Sequence, residues 1–181
     1  MGFKVQRLWD PPYLQVAMDL VDRNHMRKVL ESLPPQNDHL IIEAGTPLIK
    51  KFGLSIISEI REIRPNAFIV ADLKTLDTGN LEARMTADAG ADAVVISGLA
   101  PISTIEKAIE DTRKTGIYTV VDMLNVENPP RRRHRAVEGQ AGRRGTPPGH
   151  RHRGYRLRWG DIPAIKKAGG ERLLVATAGG I

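Results

Sequence analysis

Asp72, Lys74 and Asp77 place two carboxylates around an ammonium, directly after the apolar run Phe68-Ile69-Val70-Ala71. Asp72 and Lys74 are two apart, so they share one side of an extended chain. Asp77 follows in a loop with Thr78 and Gly79. Such a trio can hold a metal, fix the lysine as acid or base, or pair as a solvated strand end. Glu43 closes another apolar run, Leu40-Ile41-Ile42. Glu43 and Asp72 thus end neighbouring strand candidates. Two converging carboxylates suit a hard divalent cation such as Mg2+, which takes oxygen ligands and keeps waters. The competing reading is a structural ion-pair cluster in which Lys74 relieves the repulsion. Between carboxylates Lys74 stays protonated, which suits electrostatic stabilisation of an enediolate better than Schiff-base chemistry. Gly179 and Gly180 follow a later apolar run. They offer backbone N–H groups to a phosphate, or form a plain turn.

These residues need elements to hold them. Leu14 to Val21 reads as a first strand that runs into Asp19. Arg23 to Leu33 has helical spacing through Met26, Val29, Leu30 and Leu33, stopped by Pro34-Pro35. After the Glu43 strand, Leu54, Ile57, Ile60 and Ile63 mark a helix that Pro65 ends. A helix from about Asn80 to Ala89 puts Leu81, Met85 and Ala89 on one face. Ala93 to Gly98 is a fourth strand. Ser103-Thr104-Ile105-Glu106 has capping-box spacing and opens a helix with Ile105, Ala108 and Ile109 inward. Tyr118 to Leu124 is a fifth strand, carrying Asp122. A helix start at Trp159–Lys167, with Pro163 near its first turn, and a strand at Leu173–Ala178 complete the pattern.

Apolar strands alternating with amphipathic helices fit a parallel sheet buried on both faces. Asp19, Glu43, Asp72, Lys74, Ser97 and Asp122 all fall at strand C-terminal ends. A (β/α)8 barrel or an open doubly wound sheet places its site there. The first strand has no Gly-rich turn after it, which weighs against a dinucleotide-binding sheet.

The chain has 181 residues and no cysteine, which excludes disulfide and thiol chemistry. No run is long and apolar enough for a membrane, and no signal pattern opens the chain. A soluble cytoplasmic protein is expected. The net charge of +6 would suggest a nucleic-acid partner. Its distribution argues otherwise. Residues 131–158 hold 10 Arg, no Lys and one acid, Glu138, while the rest holds 17 basic and 20 acidic residues. Few aromatics lie near, so base stacking has little to work with. Non-specific nucleic-acid affinity of an inactive barrel fragment is the reading from another class. His25 and His39 read as surface residues, and His134, His150 and His152 fall within the Arg-rich segment.

Six stretches carry a family resemblance: Gln15–Asp22 (QVAMDLVD), Glu43–Pro47 (EAGTP), Asp72–Gly79 (DLKTLDTG), Gly90–Ala93 (GADA), Val121–Asn125 (VDMLN) and Ala178–Ile181 (AGGI). They resemble 3-hexulose-6-phosphate synthase, of the orotidine 5′-monophosphate decarboxylase superfamily. The resemblance covers about residues 14–128 and 159–181. The Asp-x-Lys-x-x-Asp motif marks the superfamily. Gly79, with the Glu-x-Gly-Thr-Pro pattern, favours the synthase and the related 3-keto-L-gulonate-6-phosphate decarboxylase. The resemblance implies a (β/α)8 barrel, a homodimer, and Mg2+ held by Glu43 and Asp72. It implies that Lys74 stabilises a 1,2-enediolate, that Asp19 lines the site with Asp122, and that Asp77 reaches the partner subunit's site. Gly179 and Gly180 would grip the substrate phosphate. The implied reaction joins formaldehyde to ribulose 5-phosphate, or reverses that step to supply pentose phosphate, a role found in archaea.

Two departures stand out. The chain ends at Ile181, before the eighth βα unit that the resemblance leads one to expect. Residues 131–158 match nothing in the family, which has there a helix, a sixth strand and a His-containing turn. A frameshift accounts for this. Arg131 to Arg156 can be encoded so that dropping the first base yields VEGIERLKVKPDVVGLHRGIDTEGT, which reads as that helix, strand and turn in order. A compensating shift near Leu157 or Arg158 restores Trp159-Gly160-Asp161. As written, the Arg-rich segment cannot build a core, and little or no synthase turnover is expected of the chain.

Overall fold

The computed structural model describes residues 12–35 and 38–127, together with positions 8, 163 and 174–176. The chain divides into a unit of residues 1–122 and a second of residues 123–181. The first unit carries β1 (Leu14–Met18), α1 (Arg23–Ser32), β2 (Leu40–Ala44), α2 (Thr46–Phe52), α3 (Ser55–Ile63), β3 (Phe68–Thr75), α4 (Gly79–Asp88), β4 (Ala93–Ser97), α5 (Ile102–Thr115) and β5 (Tyr118–Asp122). All neighbouring strands pair parallel, in the order β1-β2-β3-β4-β5. A doubly wound sheet must reverse direction at a switch point. This sheet does not, so its five βα units are those of a (β/α)8 barrel.

Alternation along the strands divides the side chains between two layers. Ile42, Ala44, Ile69 and Ala71 face the helices and bury against Met26, Leu30, Ile56, Ile57 and Ile60. Ile41, Phe68, Val70, Ala93 and Val95 fill the other face. Glu43 lies opposite Val70 in the register, so Glu43, Val70 and Asp72 share that inner face. At the N-terminal ends of the strands, Arg61 donates to the Ala67 and Gly90 carbonyls and to Asp92 Oδ2, which also accepts from the Ile69 N–H. That end ties β3 and β4 to α3, while the opposite end gathers the groups around Lys74.

Several expectations need correction. The sequence pattern assigns no element between the Glu43 strand and the helix at Leu54, but Thr46–Phe52 forms α2, with Pro47 in its first turn and Gly53 ending it at φ 71°. Pro in the first turn and Gly past the end suit a helix stop and start, but seven residues are too few for a clear apolar period. On α4 the buried residues are Gly79, Ala83 and Thr86, while Leu81 and Met85 are half exposed. The small residues win because α4 lies tightly against α5. A Cβ on Gly79 would stand 2.4 Å from the Thr104 carbonyl oxygen and 3.1 Å from Ala108 Cβ. The capping-box reading of Ser103 fails, since Pro101 is the N-cap and α5 starts at Ile102 without a side-chain cap. The fifth strand stops at Asp122. Residues 131–158 and most of Trp159–Lys167 lie outside the described residues. Of the expected strand Leu173–Ala178, only 174–176 are described, and they belong to no strand.

Gly79 yields a prediction of unusual sign. Alanine normally favours a helix over glycine by about 1 kcal/mol. Here overpacking against backbone costs about 1–3 kcal/mol. Gly79→Ala is therefore expected to lower the urea midpoint; an unchanged or raised midpoint would refute the close packing of α4 on α5.

Candidate active site

The site is built on the last residues of β1, β2, β3 and β5. Lys74 is its centre. Its Nζ donates to Asp72 Oδ2 at 3.0 Å and to Asp122 Oδ2 at 2.8 Å. The lysine thus reaches from β3 over β4 to β5. Burial works against its charge, but the hydrogen bonds to Asp122 and Asp72 outweigh that and hold the ammonium above the usual lysine range. An ammonium so favoured donates hydrogen bonds and is a poor nucleophile towards carbonyls.

Asp72 and Lys74 meet as their spacing suggests, but not through a regular strand. Ala71 pairs with Val94 and Thr75 with Ile96, so β3 places four steps against two on β4. The surplus of two keeps inward and outward faces unchanged. Lys74 sits in this irregularity at φ 47°, a left-handed backbone that non-glycine residues seldom adopt. Thr75 then turns outward and donates to Glu82 on α4.

Asp72 is 4% exposed. Its Oδ2 accepts from the Thr46 hydroxyl at 2.8 Å as well as from Lys74. Its Oδ1 is buried and has no hydrogen-bond partner among the described residues. Native structures seldom leave a buried carboxylate oxygen so. Glu43 is half-buried and accepts from the Gln15 amide on β1. Burial pushes its carboxyl above the ordinary 4.5; the Gln15 bond pulls it back, while Asp72 and Asp19 add repulsion. Asp19 is exposed and crowds Gly45, where a Cβ would lie 2.1 Å from Asp19 Oδ1 and 2.9 Å from the Met18 carbonyl oxygen. Glycine at 45 is what lets the ends of β1 and β2 come together here.

Two carboxylates, Asp72 and Asp122, therefore hold the ammonium, and Glu43 with Asp19 beside it adds two more to the same end of the sheet. That excess of negative charge, with an orphaned buried Asp72 oxygen, fits a divalent cation held by Glu43 and Asp72. Among the described residues no three acidic or imidazole groups form a metal cage. Mg2+ does not require one, since it binds through one or two carboxylates plus water and substrate oxygens.

Glu43 also carries a linkage prediction. Its folded-state carboxyl prefers the proton. Its contribution to stability is full below the unfolded value and is lost as pH rises through the raised folded one. Glu43→Gln is expected to raise the melting temperature at neutral pH in EDTA, with the difference closing towards about pH 4. A lower melting temperature at neutral pH would contradict it.

Asp77 is not brought to this cluster. It is exposed and accepts only from the neighbouring Thr78 N–H, at 2.7 Å, in the bonds described. Gly179 and Gly180 lie outside the described residues, as do His134, His150 and His152. Sequence reading passed over Thr46 and Gln15, the two uncharged donors to the acidic groups. Thr46 lay in view within the Glu-x-Gly-Thr-Pro pattern, but nothing in that pattern shows that its hydroxyl crosses to the next strand.

A parallel sheet in sequential order, with outer helices and charged groups at the strand C-termini, defines a (β/α)8-barrel domain with its site at the usual end. The chain belongs to the orotidine 5′-phosphate decarboxylase / HUMPS family, whose profile matches residues 12–142. It is 80% identical over 186 aligned residues to a protein of Methanoculleus marisnigri named bifunctional enzyme Fae/Hps, covering 100% of this chain and 46% of that protein. The chain thus spans about half the length of the curated relatives it matches. Among solved structures, a 3-hexulose-6-phosphate synthase from Salmonella typhimurium superposes with a TM-score of 0.63 at 32% identity, over 72% of this chain and 61% of the other. A 3-keto-L-gulonate-6-phosphate decarboxylase from Vibrio cholerae gives 0.55 at 28% identity, over 61% of this chain and 50% of the other. Among the described residues no helix is long and apolar enough to cross a membrane.

Proposed function

We propose that this protein is a 3-hexulose-6-phosphate synthase, an aldehyde-lyase joining formaldehyde to ribulose 5-phosphate or reversing that step. The observation that carries the reading is the Lys74 ammonium, fixed between Asp72 and Asp122 beside an unpartnered Asp72 oxygen. In the forward direction C1 of the pentulose loses a proton. The enediolate carbon attacks formaldehyde, and the resulting alkoxide takes up a proton. Lys74 faces the negative charge that develops on the substrate oxygens. Asp122 aims the lysine, and Asp19 lines the mouth of the site. Glu43 and Asp72 would hold Mg2+, which when bound neutralises their charge and polarises substrate oxygens. Gly179 and Gly180 would receive the phosphate.

The protein works as a cytoplasmic homodimer without a specific nucleic-acid partner in this reading. Leu76, Leu81 and Met85 are large apolar side chains left half exposed near Asp77. A second copy covering them would bring Asp77 towards its neighbour's site. Residues 131–158 are the product of a shifted frame in this reading, and the chain is one barrel domain.

The test is formaldehyde consumption with ribulose 5-phosphate and Mg2+, on protein expressed from the source gene. Mg2+-dependent consumption, abolished by EDTA, is the expected result. Carbon dioxide release from 3-keto-L-gulonate 6-phosphate, without formaldehyde turnover, would assign the related decarboxylase activity instead.

A further inference from the structure

Thr46 is the first residue of α2, yet its hydroxyl does nothing for that helix. Gly45 is the N-cap and has no side chain to offer. The Thr46 hydroxyl points across to β3 and lies 2.9 Å from the Asp72 carbonyl oxygen and 2.8 Å from Asp72 Oδ2. A hydroxyl has one proton, shared here between two acceptors of a single residue. The bond therefore ties the Asp72 carboxylate to its own backbone and fixes the side-chain rotation. The ammonium of Lys74 adds a second donor to the same oxygen. Oδ2 is saturated and Oδ1 is left bare, although both belong to a buried group. A free carboxylate would rotate to spread its donors over both oxygens.

We infer that Thr46 is a positioning residue: its hydroxyl holds Asp72 so that Oδ1 stays open for a divalent cation and out of reach of Lys74. The inference rests on the reading of Glu43 and Asp72 as cation ligands. A neutral donor suits this task better than a cationic one. It fixes the carboxylate without cancelling the charge that attracts the metal. Donors that orient a metal ligand commonly change affinity by about 10–100-fold when removed.

The test is a titration of the 181-residue chain with Mn2+, which prefers oxygen ligands as Mg2+ does and whose free form is counted by electron paramagnetic resonance. Thr46→Val removes the hydroxyl at nearly constant shape. It is expected to weaken Mn2+ binding at least about tenfold, whereas Thr46→Ser should stay within about threefold of the original. Melting in EDTA is measured alongside. A lower melting temperature for Thr46→Val with unchanged Mn2+ affinity would make the hydroxyl merely structural and overturn the inference. The metal reading is judged separately with Asp72→Asn. If the unsubstituted chain binds no Mn2+ in the millimolar range, or Asp72→Asn binds as tightly, the metal reading fails and the inference goes with it. If Asp72→Asn loses binding and Thr46→Val keeps it, only the inference fails. Should Thr46→Val not fold, Thr46→Ala serves in its place; failure of both to fold also decides for a structural hydroxyl.

Discussion

Re-reading residues 131–155 as VEGIERLKVKPDVVGLHRGIDTEGT is expected to raise synthase turnover at least about tenfold over the chain as written. A closed barrel has no free sheet edges, and leaving one uncovered exposes backbone donors and apolar surface. In the first unit, Val120 on β5 and Leu99 after β4 are large apolar side chains open to solvent, at 36% and 53% exposure. A sixth βα unit is the natural cover for the β5 side of such a sheet. The re-read segment supplies a helix, a strand and a histidine in the order a barrel uses. It also exchanges the eight arginines of residues 131–155 for a nearly balanced charge. Salt-sensitive adhesion to nucleic acid should fall with it. Both chains would be expressed from the source gene through to its stop codon and assayed for formaldehyde consumption. Equal turnover by the Arg-rich version would sink the frameshift reading, as would a nucleotide sequence in which that frame is intact.

In the active chain, Lys74→Ala is expected to lower turnover by about 10²–10³-fold, the usual loss when one preorganised charge facing an oxyanion is removed. Binding of Mn2+ should survive, because Glu43 and Asp72 remain and a competing cation is gone. Lys74→Arg should recover little. A planar guanidinium cannot take the place of a compact ammonium shared between Asp72 and Asp122. The measurement is the separation of kcat from the Mn2+ dissociation constant. Loss of both together would mean that Lys74 organises the site as a whole and has no distinct part in stabilising the enediolate.

Much of this was legible in the sequence because it depends on strand ends. Apolar runs closing on Asp19, Glu43, Asp72 and Asp122 located both the sheet and the edge where its charged groups gather. The Lys74 contacts with Asp72 and Asp122 follow from strand order, once β3, β4 and β5 are known to be adjacent. Three features were not legible. The surplus residues in β3 depend on pairing with β4, which no local pattern in Asp72–Thr75 reveals. Helix α2 is too short for periodicity to separate it from a loop. The buried face of α4 was misread because Leu81 and Met85 are more apolar than Gly79 and Ala83. The space beside α5 admits only the smaller pair.

The backbone at Lys74 also says how this position should change over time. At φ 47° glycine, and to a lesser degree asparagine, is easier for the chain than lysine. Lysine is kept against that preference only while its ammonium is needed. Gene copies released from selection for turnover should drift towards Gly or Asn at 74, which eases the backbone but gives up the ion pairs with Asp72 and Asp122. The residue at this one position therefore serves as a marker that separates working copies from retired ones.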